Sequence, residues 1–141
     1  MITRRRLVIS FILAGAVAVL VFGFTLVRPT DQAVLYTDPA VRVLYPKPGD
    51  LVLRETRVGA TLSQADTLAY GTTNGMAINK IGVPQDQLDV IAGLNQYFFY
   101  PGAGKEITEL PVGRVCVDLR IRRVVDLNDA GRPFSWCFQT H

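Results

Sequence analysis

With 141 residues, the chain has room for one domain and little else. Its fifteen Lys and Arg against twelve Asp and Glu give a formal charge of +3. Arg4, Arg5 and Arg6 account for the whole excess, so the residues beyond them are formally neutral and offer no net basic face for nucleic acid.

From Leu7 to Val27 the sequence reads LVISFILAGAVAVLVFGFTLV, twenty-one residues without a charge. At about 1.5 Å per residue a helix of that length is roughly 31 Å long, the thickness of a bilayer's hydrocarbon core. The segment predicts one transmembrane helix. Arg4–Arg6 abut its start and only Arg28 abuts its end, so the tail 1–6 is expected in the cytoplasm and residues 28–141 outside. A cleaved signal peptide has a shorter apolar core and ends in a small-x-small site, which Phe22 to Val27 do not supply. The expectation is an uncleaved signal-anchor in a cell membrane, a bacterial inner membrane in the first instance, with the lipid bilayer as a partner of the tail. Ala14, Gly15 and Ala18 are small enough to let another helix pack closely, and no ionisable group lies in the span.

Residues 28–48 carry Pro29, Pro39, Pro46 and Pro48, and read as an extended neck with a strand near Val41–Tyr45. The domain proper is drawn at 49–141. Pro46-Lys47-Pro48-Gly49-Asp50 is turn chemistry, after which Leu51, Leu53 and Val58 suggest a strand. Ser63 with Asp66 three residues later has the form of an N-cap, which predicts a short helix over 64–70 ending at Gly71. Thr72 to Gly75 form a turn. Pro84, Asp86 and Asp89, followed by Leu88, Val90, Ile91 and Leu94 at helical spacing, predict a helix from Pro84 to about Gln96. Tyr97 to Tyr100 is an aromatic run, closed by Pro101-Gly102.

The C-terminal third is the clearest. Val115, Val117, Leu119, Ile121, Val125 and Leu127 alternate with mostly polar neighbours, which predicts a long half-buried strand. Asn128 to Gly131 turn the chain, and Phe134, Trp136 and Phe138 face one side of a returning strand. Cys116 and Cys137, the only cysteines, fall on the other face, and an even count outside the cytoplasm favours a disulfide. A tight turn at 128–131 sets Cys137 opposite about Arg122, some 20 Å from Cys116, whereas a disulfide needs Cα atoms within about 7 Å. Pairing therefore requires a longer turn, a bulge or another route.

Two short stretches resemble known families. Gly23-Phe24-Thr25-Leu26-Val27 resembles the processing site of type IV pilins, but there the apolar helix follows the site, whereas here it precedes it and Arg28 stands in the glutamate's place. Gly49-Asp50-Leu51-Val52 resembles the G-D-x-V segment of membrane-anchored signal peptidases, which share an N-terminal span and an external β domain. That resemblance implies a nucleophilic serine just after the membrane and a later lysine as base. No serine lies between Ser10 and Ser63, which leaves Ser63 with Lys80 or Lys105 as the pair to consider.

Other chemistry is poorly supplied. The only histidine is His141, so a buried Ser-His-Asp relay or a multi-histidine metal site lacks its parts, and no metal or cofactor is expected. Glu106, Glu109, Asp86 and Asp89 read as solvated surface, and Gly102-Ala103-Gly104-Lys105 lacks the spacing of a phosphate loop. Tyr97–Tyr100 and Phe134, Trp136 and Phe138 read as core first and as an aromatic binding face second. Arg120, Arg122 and Arg123 read as a solvated sheet face, with Asp118 and Asp126 beside them.

The expected architecture is a single transmembrane α-helix followed by a small α+β or mainly antiparallel β extracytoplasmic domain. The expected role is a non-enzymatic accessory or interaction subunit of a membrane or cell-envelope complex, its partners other membrane-protein subunits. The alternatives are a signal-peptidase-like serine hydrolase and a binder of small apolar ligands.

Overall fold

A computed structural model describes residues 38–70 and 74–141. The span at Leu7–Val27, with Arg4, Arg5 and Arg6 before it and Ala14, Gly15 and Ala18 within it, lies outside the described residues. Among the described residues, no helix is long and apolar enough to cross a membrane.

Among the described residues after Asp38, the regular structure is almost all strand. They are β1 (Val41–Tyr45), β2 (Leu51–Val52), β3 (Val58–Leu62), β4 (Asp66–Leu68), β5 (Met76–Ile78), β6 (Ile81–Val83), β7 (Leu88–Ile91), β8 (Gln96–Phe99), β9 (Gly113–Arg123) and β10 (Arg132–Thr140). Two single turns of 3-10 helix, Gln85–Gln87 and Ala92–Leu94, are the only helical pieces among the described residues. Of the two expected classes, α+β and mainly antiparallel β, the described residues show the second, with one parallel pair, and the α+β alternative is corrected.

One sheet runs β1-β3-β8-β7, all antiparallel. The other runs β2-β10-β9-β5-β6, with β4 joining β9 beyond β5 and β2 lying parallel to β10. β9 is the organising strand. One side of it carries the whole of β10, while its other side takes β5 at Val117–Leu119 and β4 at Ile121–Arg123. Its inward residues Val115, Val117, Leu119 and Ile121 are buried, and meet Leu44, Val58, Leu62, Phe99, Trp136 and Phe138 in one apolar core fed by both sheets. Period-two alternation works here because only one face of the strand meets that core.

Both helices predicted within the domain, over 64–70 and from Pro84 to about Gln96, are absent. Ser63 and Asp66 do bond, Oγ to Oδ2 at 2.5 Å, but the backbone after them is strand β4, paired with β9. From Pro84 to Gln96 the chain forms β7 and a tight return into β8 rather than a helix. Val90, Ile91 and Leu94 are about half exposed, so they form no helical core stripe. Asn95 stops any helix by standing in the left-handed region at φ 50°, a conformation Asn tolerates, and its N–H bonds the carbonyl of Ala92.

Leu51 and Val58 also part company: β2 joins one sheet and β3 the other, with the turn at Leu53–Thr56 between them. The Lys47–Asp50 turn is as expected, closed by the Asp50 N–H on the Lys47 carbonyl at 3.1 Å with Gly49 at φ 82°. Within the aromatic run, Tyr97 and Phe99 enter the core. Phe98 lies on the opposite face across Gly59, packed edge-on to Tyr45 at 5.3 Å and covered by the Arg57 guanidinium. Gly59 allows this: a Cβ there would strike the Tyr97 carbonyl and the Phe98 ring.

Candidate functional site

The C-terminal hairpin resolves the cysteine register. β9 ends at Arg123, four residues earlier than the periodicity indicates, and the connection runs from Val124 to Gly131. This long loop places Cys137 directly opposite Cys116, with Cα atoms 4.1 Å apart, and the two form a disulfide. Val125 and Leu127 match the strand's period but sit in the loop, 93% and 79% exposed. The disulfide lies half-buried on the outer face, with the Arg114 guanidinium 3.6 Å from Cys137 Sγ. A cleft of about 240 Å³ opens beside it, lined by Gly49, Arg114, Cys137, Phe138 and Gln139.

A second constellation lies at the other end of β9, where the chain enters the domain. Arg132 at the head of β10 donates to both carboxylate oxygens of Asp38, at 2.7 and 2.9 Å. This fork-to-fork geometry is the strong form of the ion pair. The bonds hold the Asp38 carboxyl below its ordinary range, against the opposing push of burial, and raise Arg132 in return. Asp66 is buried behind this pair, its Oδ1 3.7 Å from both Arg132 and Arg123 and hydrogen-bonded to neither. Asn95 Nδ2 donates to the carbonyls of Ser63 and Asp66, while the Tyr97 hydroxyl donates to Asn95 Oδ1 and meets Thr67 Oγ1 at 3.0 Å. Tyr70, whose buried hydroxyl has no hydrogen-bond partner among the described residues, has its pKa raised by desolvation.

The β9–β10 loop springs from this cluster. The Val124 N–H bonds the Ala65 carbonyl at 3.0 Å, Arg122 donates to the Asp126 carbonyl, and Arg120 donates to that of Gly131. Asp126 and Asp129 accept from the backbone of Asn128 and Gly131. These bonds tie the loop to Ala65, to β9 and to itself, and leave Val124, Val125 and Leu127 facing outward.

The proposed serine–lysine pairs are not drawn together by any such contact. Ser63 gives its hydroxyl to Asp66, Lys80 stands exposed in the β5–β6 turn, and Lys105 lies over Phe99 and Tyr100 at 5.5 and 5.8 Å. Glu106, Glu109, Asp86 and Asp89 are exposed, and Glu109 pairs with Arg54 at 3.0 Å. Among the described residues, no group of three His, Cys, Asp or Glu is placed to hold a metal ion. Among the described residues, the cluster at this end of β9 offers ion pairs and hydrogen bonds, with the Ser63 hydroxyl held by the Asp66 carboxylate.

Sequence reasoning missed Asp66, Arg132 and Asn95 as a unit. The Ser63–Asp66 spacing was visible, but it also fits a helix cap, and nothing local ties it to residues 38 and 132. Comparison with protein-family models, curated proteins and solved structures finds no match to this chain.

Proposed function

We propose that this protein is a membrane-anchored, non-enzymatic interaction subunit, with its β domain held on the oxidising side of a cell membrane and its partners among membrane or envelope proteins. The observation that carries the reading is the Cys116–Cys137 pair, set register-perfect across β9 and β10 in a chain with no free cysteine among the described residues. Such a cross-link persists where thiols are oxidised, and the apolar run 7–27 behind Arg4–Arg6 supplies the means of delivery. Ser63 Oγ, engaged by Asp66, favours a structural over a nucleophilic role, and Tyr97, Phe99 and Trp136 are spent on the core rather than on a ligand cavity. Purification of the full chain in mild detergent, with identification of what accompanies it, tests the reading. A membrane-protein partner in defined ratio is expected; a solitary monomer that also cleaves signal-bearing precursors, and loses that activity on Ser63→Ala, would replace it with the hydrolase.

A further inference from the structure

The β9–β10 loop and the chain's point of entry lie at one end of the domain. Asp38, the first described residue, is clamped by Arg132 at the loop's C-terminal root. The loop's N-terminal root, Val124, is bonded to Ala65, beside Ser63, whose own N–H bonds Ala40. Residues 28–37 separate that entry point from the apolar run, and ten residues extend at most roughly 36 Å whatever their conformation. An anchor at 7–27 therefore keeps this end of the domain within reach of the bilayer surface. At this end three aliphatic side chains gather, with Val124 48%, Val125 93% and Leu127 79% exposed. Isolated exposed aliphatics need no explanation, but three on one internally bonded loop tip form an apolar prong.

We infer that the Val124–Leu127 tip docks into the headgroup–acyl boundary of the membrane that anchors the chain, holding the domain against the lipid; this rests on the membrane-anchored reading above. The attraction is apolar. Arg120, Arg122, Arg123 and Arg132 are balanced in this region by Asp38, Asp66, Asp126 and Asp129. Docking is therefore indifferent to salt, unlike the attraction of a polybasic patch. The Asp126 and Asp129 carboxylates accept from the backbone N–H groups of Asn128 and Gly131 within the loop, so docking of the apolar side chains leaves these two bonds in place.

The test places a nitroxide at Val125→Cys in the full chain, reconstituted into vesicles of equal parts phosphatidylcholine and phosphatidylglycerol. A control label at Val112→Cys, 69% exposed, sits at the far end of the eleven-residue β9, roughly 35 Å away. The expected result is a label at 125 relaxed by oxygen and shielded from a water-soluble nickel chelate, at low and high salt alike, with the label at 112 open to the chelate. Adding Val125→Asp and Leu127→Asp to a chain labelled at Val124→Cys abolishes the shielding while circular dichroism stays unchanged. Chelate access at 125 in chains that float with the vesicles and resist carbonate overturns the docking alone. A label shielded from both quenchers means a protein contact, a second copy or another subunit, and overturns it as well. Chains that fail to integrate overturn the anchored reading, and the docking with it.

Discussion

Replacing Cys116 and Cys137 together by Ala removes a cross-link between residues 21 apart in sequence and directly opposite in the β9–β10 ladder. In the chain-entropy model, closing a loop of that length restrains the unfolded chain by about 3 kcal/mol. The folded hairpin retains its backbone ladder, so the loss falls mainly on the unfolded side. With a urea dependence of about 1–2 kcal/mol per molar for a small domain, the midpoint should drop by roughly 1.5–3 M. Trp136 is the only tryptophan, is 5% exposed and lies one residue from Cys137, so its emission reports this transition directly. The same drop should follow when the unaltered chain is reduced. A loss below about 1 kcal/mol by both routes would refute the reasoning, because it would mean that the unfolded hairpin is already as compact without its cross-link.

Three further perturbations test other parts of the account. Gly59→Ala should destabilise by more than about 2 kcal/mol, measured by urea titration, because the new methyl meets the Tyr97 carbonyl and the Phe98 ring across the β3–β8 ladder. Trp136→Phe should cost about 1–3 kcal/mol by circular dichroism, since the buried indole N–H that bonds the Pro46 carbonyl at 2.9 Å is lost and the acceptor is left without it. Asp38→Asn should lower stability at neutral pH by about 1 kcal/mol or less, as Arg132 is 41% exposed and water screens the pair. The folded Asp38 carboxyl titrates below its unfolded value, so its contribution is complete above the unfolded carboxylate range and disappears as pH falls through the depressed folded value. Acid titrations of thermal stability should therefore be steeper for the unaltered chain than for Asp38→Asn.

The strands that face the core on one side were legible. Val115 to Ile121 and Trp136 to Phe138 alternate because their burial alternates, and the sequence carries that imprint. The loop was not legible, since Val125 and Leu127 keep the apolar period past the point where β9 ends, and only the cysteine register argued for a longer connection. Leu88, Val90, Ile91 and Leu94 mimic a helical stripe, yet only Leu88 is buried; the edge strand and the turn after it leave Val90, Ile91 and Leu94 at the surface without regard to period. The signals against a helix were Gly93 and Asn95, the latter in left-handed backbone. The Asp38–Arg132–Asp66 cluster joins residues up to 94 positions apart, a distance no local pattern spans.

The protein's placement is best decided by a phosphatase reporter, active only where disulfides form, fused after His141. Activity confined to carbonate-resistant membranes is the predicted result. A silent reporter, or an active one released into the soluble fraction on a polypeptide that starts beyond Val27, would contradict it.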